Sequence, residues 1–280
     1  NDDPRGRALT PEQVNAQTLD AAQQWLNDIL KTGPIEATIV GDLNRDQALQ
    51  LALKYLGALP NRKTSDGELK KLRQLNLKSG AQEATVEVET VTPRAIITCG
   101  WRGADWKEVK DRRVLQIAAQ ILNSRLRVEI REKRSLTYSI GCDSDPARVY
   151  PGTGTITAEM TADPEKAVEA CQLVVAVMKQ FAQDGPTDEE MDTVRKQLKN
   201  NLETMQKEPR YWFRVLSDLE YRGTKLSDVK ELLEKMMSYT KKDILKVMKK
   251  YIRDDNRIQV IATPKKVIIP ETKLPALEKK

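Results

Sequence analysis

The chain holds few side chains suited to chemistry. It has three thiols at Cys99, Cys142 and Cys171, neighbouring carboxylates at Asp143 and Asp145, and a glycine-containing stretch Pro151-Gly152-Thr153-Gly154-Thr155. It has no histidine in 280 residues. That absence removes the commonest zinc ligand and the usual general base of nucleophilic triads, so chemistry that needs an imidazole must come from elsewhere. The cysteines are odd in number and lack C-x-x-C spacing, which argues against a structural zinc site and a disulfide framework and for free core thiols. Asp143 and Asp145, with no neutral nitrogen ligand nearby, would make a poor calcium site and read as solvated residues at a strand exit. The glycine stretch lacks the Lys-Ser/Thr of a phosphate-binding loop and precedes a strand, so it reads as a hairpin turn. Asp188-Glu189-Glu190 are acids of a helical first turn, where they favour the dipole.

The elements that must position any site belong to a helix-rich globular chain. Charged residues make up 31%, hydrophobic residues 39%, and mean hydropathy is −0.57. No apolar run approaches the roughly 18 residues of a membrane span. The chain opens on Asn1-Asp2-Asp3-Pro4-Arg5, without initiator Met or apolar leader, and reads as a mature or excised piece. Its net charge of +6 lies in the tail, where residues 241–280 hold twelve Lys/Arg against five Asp/Glu. Without interleaved aromatics, this tail reads as solvated surface rather than a nucleic-acid stripe.

Thr10-Pro11-Glu12 is a helix start, and apolar spacing from Val14 to Ile29-Leu30 carries the helix to Lys31. Ile35–Val40 then reads as a strand and Arg45–Leu56 as a helix. Thr85–Thr90 and Arg94–Cys99 suggest two neighbouring strands. A long helix is predicted from Trp106 to Glu132, with Leu136–Cys142 and Thr153–Thr161 as further strands. Helices follow to about Gln183 and Gln206, then at about 208–220, 226–237 and 240–251, before a last strand at Ile258–Ala262. The plan is α+β: a two-layer sandwich, its sheet largely antiparallel, with helices packed on one face. A helix–strand unit recurs, since an offset of 222 residues lays 18–41 on 240–263. The organisation expected is a closing helix–strand–helix of a preceding lobe at 1–64, a basic linker at 65–80, a complete lobe at 81–265 and a basic tail at 266–280.

Several stretches carry a resemblance. They are Gly41-Asp42-Leu43 before a helix ending Leu56-Gly57-Ala58-Leu59-Pro60, Ser124-Arg125-Leu126, the block Arg131-Glu132-Lys133-Arg134-Ser135-Leu136-Thr137-Tyr138-Ser139, Asp184-Gly185-Pro186-Thr187 with Glu189-Glu190, and Tyr211-Trp212-Phe213. Together they resemble the non-catalytic lobe of the pitrilysin/insulinase zinc peptidases, in the bacterial zinc-protease branch. Ser135 replaces the family's usual Gly, and Leu122-Asn123 contracts its glycine-rich turn. The inverted zinc motif H-x-x-E-H has no counterpart here.

The resemblance implies that zinc and the general base sit on a partner catalytic lobe bearing H-x-x-E-H, in cis or as a separate subunit. Arg131 and Tyr138, seven residues apart, would then contact a peptide or unfolded polypeptide substrate. A guanidinium offers five donors in a planar fork suited to peptide carbonyls, and a positioned phenol can stabilise a developing oxyanion. Arg131 is expected in the last turn of the long helix and Tyr138 on the following strand, with Arg134 as surface. The plainer reading of such a pair is dipole complementation by the Arg and packing by the Tyr. Tyr211 and Trp212 read as core packing of the helical layer, or as lining of a substrate chamber. By the same resemblance this chain alone is not a peptidase, and its compartment is periplasmic or otherwise extracytoplasmic. A catalytically inert structural subunit of a larger assembly is the alternative.

Overall fold

The computed structural model describes residues 3–62, 70–217 and 219–265. The basic tail at 266–280 and residues 65–69 of the expected linker lie outside the described residues. The chain forms two compact units, one drawn from the stretches up to Leu77 and Asp192–Tyr239, the other from Lys78–Met191 and the stretch from Thr240 onward.

The second unit carries the sheet. Its strands are β1 (Gln82–Val88), β2 (Ala95–Arg102), β3 (Ile140–Asp145), β4 (Thr155–Ala162) and β5 (Arg257–Pro264), in the order β1-β5-β2-β4-β3. Only β1 with β5 is parallel. Period-two alternation sends Ile97, Cys99 and Trp101 of β2 and Ile156, Ala158 and Met160 of β4 into the core. Their cover is a helical layer, α4 (Val109–Leu126), α5 (Ala167–Asp184) and α11 (Lys241–Tyr251). α4 turns Val114, Leu115, Ile117, Ala118, Ile121 and Leu122 inward, the face its sequence period specifies. Each such aliphatic side chain contributes about 1.5–3 kcal/mol by leaving water. Trp101 is wholly buried and its indole N–H donates to Arg253 O at 2.9 Å. The C-terminal turn of α11 is tied to the start of α4, because Lys250 Nζ reaches Glu108 at 3.0 Å and Asp111 at 2.6 Å.

Three sequence expectations change in this unit. β1 and β2 are not neighbours, since β5 lies between them. Residues 89–94 are long enough to span the two strand spacings of about 10 Å that the inserted β5 requires. The long helix starts at Val109 rather than Trp106, whose ring is covered by the guanidiniums of Arg112 and Arg148 at 4.1 and 4.9 Å. Finally, β3 begins only at Ile140, so Leu136–Ser139 is loop.

The other unit holds α1 (Pro11–Asn15), α2 (Leu19–Thr32), α3 (Arg45–Tyr55) and, C-terminal to the sheet-bearing stretch, α7 (Pro209–Leu216), α8 (Leu219–Arg222), α9 (Leu226–Lys230) and α10 (Leu232–Ser238). α6 (Asp188–Met205) runs across the boundary in sequence. The single helix read over 11–31 is broken. Thr10 starts α1 with a capping box, and Thr18 starts α2 afresh by accepting the Ala21 N–H. The strand read at Ile35–Val40 does not form. A strand needs a neighbour for its backbone groups, and none of the described strands pairs with this stretch.

Candidate functional site

The site grows out of the end of α4. Beyond Leu126 the helix widens to a π-helical turn over Arg127–Glu132, closed by Lys133 N–H donating to Val128 O at 3.0 Å. Ser135 N–H bonds Arg131 O and Leu136 N–H bonds Ile130 O, at 3.0 and 3.1 Å. Ile130 and Leu136 are both buried and hold the reversal to the core. Ser135 makes the bend with a φ of 52°, in the left-handed region.

Beyond the bend Leu136 and Thr137 are both buried and Tyr138 and Ser139 both exposed. Thr137 is buried and its Oγ1 donates to Thr161 O of β4, 2.6 Å away, while accepting the Ser139 N–H at 3.2 Å. Tyr138, between these anchored neighbours, is 80% exposed. Its ring centroid lies 5.3 Å from Arg131 Cζ, a cation–π pair at the surface. The reversal after the helix thus brings Arg131 and Tyr138 together. Tyr138 sits in the loop before β3, not on a strand as the sequence reading has it, because Thr137 pins the backbone to β4 only through its side chain.

The neighbouring charges are distributed unequally. Arg134 donates to Glu129 O at 3.0 Å and pairs with the Glu129 carboxylate, which Lys133 also holds at 2.6 Å. The Lys133 hydrogen bond, followed by the Arg134 contact, keeps the Glu129 carboxyl below its ordinary range. Among the described residues no carboxylate pairs with Arg131, whose donors face solvent beside the phenol. A free guanidinium fork and a free phenol at one edge can offer hydrogen bonds to adjacent carbonyls of an extended chain.

Two further contacts hold this edge, and neither is readable from local spacing. Arg125 grips Glu190 through two donors, with Nη2 at 2.7 Å, and the same Nη2 donates to Gly185 O at 3.0 Å. Glu190 also accepts the Thr187 N–H at 2.8 Å and so caps α6. Burial pushes the Glu190 carboxyl up, but the hydrogen bonds from Arg125 and Thr187 outweigh it and hold the group below its ordinary 4.5. Asn123, in the contracted stretch before Ser124, brackets the outer edge of β3. Its amide nitrogen donates to Cys142 O at 2.7 Å and its oxygen accepts the Cys142 N–H at 2.6 Å.

The other candidates are placed as follows. Tyr211 is buried on α7 with its ring edge-on to Trp212, the centroids 5.2 Å apart, and the half-buried Trp212 donates its indole N–H to Gln206 O at 2.8 Å. Both rings belong to the unit without the sheet. Cys99, Cys142 and Cys171 are free and buried, and burial pushes the Cys142 thiol up to about 12. Asp143 and Asp145 lie exposed on β3 itself, paired with Thr157 and Thr155. The stretch at 151–155 enters β4, and Gly152 N–H donates to Asp105 at 2.8 Å. The donor set does not fit a catalytic zinc. There is no imidazole, and the described residues contain no group of three or more His, Cys, Asp or Glu able to hold a metal. No described helix is long and apolar enough to cross a membrane.

Comparison with known proteins bears on this architecture. No curated protein sequence matches the chain. Among solved structures, the chain is similar to a peptidase M16 inactive domain from Pseudomonas fluorescens, with a TM-score of 0.72 and 20% identity over 93% of this chain and 61% of that one. It is similar to a protease from Helicobacter pylori, with a TM-score of 0.72 and 14% identity over 91% and 61%. It is also similar to the periplasmic protease PqqL from Escherichia coli, with a TM-score of 0.62 and 19% identity over 80% and 25%. These likenesses establish the fold, and the chain spans about 61% of the length of the first two. The family model described as the peptidase M16 inactive domain matches residues 16–198, more than half of the chain. This chain therefore belongs to the M16 inactive-domain family of pitrilysin/insulinase-type peptidases.

Proposed function

We propose that this chain is the non-catalytic, substrate-binding half of a pitrilysin/insulinase-type zinc metalloendopeptidase, and that Arg131 and Tyr138 clamp a peptide opposite a zinc site on another lobe or chain. The observation that carries the proposal is the exposed Arg131–Tyr138 pair, 5.3 Å from guanidinium carbon to ring centroid. A tyrosine 80% exposed is not packing the core, and an arginine without a carboxylate partner keeps its donors for a ligand. Zinc would be held by the lobe with H-x-x-E-H, and the residues here would orient the peptide and donate hydrogen bonds to its carbonyls. The similarity to a protein described as a periplasmic protease supports an extracytoplasmic setting. Trp212 would line the substrate chamber by one edge, while Tyr211 supports it from within.

The test is kinetic. Arg131→Ala and Tyr138→Phe in the complete two-lobe enzyme should each lower kcat/KM on an unstructured peptide. If neither does, the inert structural subunit is the better account.

A further inference from the structure

Two of the three thiols are placed to react with each other. Cys99 faces the core from β2 and Cys171 from α5, the helix that packs on that strand. Both residues are fully buried. Cys99 Sγ lies 3.9 Å from Cys171 O, to which it donates. The two thiols also share a hydrogen bond, which pushes the Cys99 thiol up and holds the Cys171 thiol down. Burial opposes the lowering at Cys171, the guanidinium of Arg257 on β5 adds to it, and the Glu83 carboxylate works against it. Arg257 is paired with Glu83, but its buried Nε has no partner. A donating thiol beside one held toward its thiolate, with a guanidinium at hand, is the arrangement from which disulfide exchange starts.

Register excludes Cys142 as the partner of Cys99. Cys99 stands opposite Ala158 of β4, and Ala158 opposite Cys142 of β3, so two strand spacings of together about 10 Å separate the two backbones. A disulfide spans at most about 7 Å between Cα atoms. Burial, which pushes the Cys142 thiol up to about 12, also makes it a poor nucleophile.

We propose that Cys99 and Cys171 are a disulfide-forming pair, oxidised by exchange with an external disulfide into a bond that staples α5 to β2. The Cys171 thiolate attacks one sulfur of the donor and releases its first thiolate. Cys99, its proton passing to that leaving group, attacks Cys171 Sγ and releases the second. The pair loses two electrons and two protons, and the donor disulfide is reduced to two thiols. The bond joins positions 72 apart in sequence and so removes freedom from the unfolded chain. Because both sulfurs are buried, exchange runs through local opening or during folding, and the finished bond is shielded from reductant.

The probe is oxidised glutathione, applied to the purified 280-residue chain in buffer and in urea just below the unfolding midpoint. Alkylation under denaturing conditions and peptide mass mapping follow. In urea two thiols should be lost, the linked peptides should carry Cys99 and Cys171, and Cys142 alone should be alkylated. In buffer the reaction should be at least about tenfold slower, because it waits on local opening. The bond should resist dithiothreitol once urea is removed, and the oxidised chain should have a higher urea midpoint than the reduced one. Cys142→Ala should form the bond at the wild-type rate, and Cys99→Ala should stop at a single glutathione on Cys171. The wild-type map needs no substitution, so a poorly folded variant leaves the test intact. The proposal is overturned by three alkylated thiols, by linkage through Cys142, by a bond formed only between two chains, or by an oxidised chain less stable than the reduced one.

Discussion

Tyr138 is held out of the fold by its neighbours, since Leu136 and Thr137 are buried and Thr137 is bonded to β4. The bend that makes this possible passes through Ser135 at φ 52°. The reason a glycine suits this position is conformation rather than size, so Ser135→Gly should raise stability by about 0.5–1 kcal/mol, seen as a higher urea midpoint at unchanged slope. An unchanged midpoint would show that the bend carries no strain. At Glu190 the lowered carboxyl pKa makes a pH prediction. Its contribution is complete above the ordinary value of 4.5 and is lost as pH falls through the lowered folded value. Glu190→Gln should therefore cost about 1–3 kcal/mol at neutral pH, and the gap from wild type should close on acidification. A gap independent of pH would mean that the Arg125 pair contributes nothing through charge. Arg131 and Tyr138 were legible because they are close in sequence and sit in a recognisable block. Arg125–Glu190 was not, because its partners are 65 residues apart and nothing local marks either as paired.

At the scale of elements, periodicity located the helices well, because α4, α5 and α11 each bury one stripe. It failed where a side chain overruled the period. Thr18 broke the predicted helix at 11–31, and the strand at 35–40 failed for want of a neighbour. Neighbour order in the sheet was equally hidden, since β5 reaches its place between β1 and β2 from the far end of the chain. The free edge of β3 supplies an element-scale prediction. Asn123 satisfies both backbone groups of Cys142, so Asn123→Ala should cost about 1–3 kcal/mol and open the edge to pairing with other chains. Chemical denaturation and sedimentation would check it, and a stable monomeric variant would show that water replaces the amide without loss.

For the whole molecule, the absent imidazole is what the proposed division of labour would require. The proposed function assigns chemistry to another lobe or chain and substrate contact to the edge beside β3. The 280-residue chain on its own should not cleave an unstructured peptide in a chelator-sensitive way, and cleavage of that kind would end the division proposed here. The most direct test of the clamp remains the pair of substitutions in the two-lobe enzyme, measured as kcat/KM. The account predicts that Tyr138→Phe and Arg131→Ala each lower it by about tenfold to a thousandfold, the range for a lost hydrogen-bond donor at a developing charge, with Arg134→Ala near wild type. Wild-type kcat/KM in both variants would contradict it.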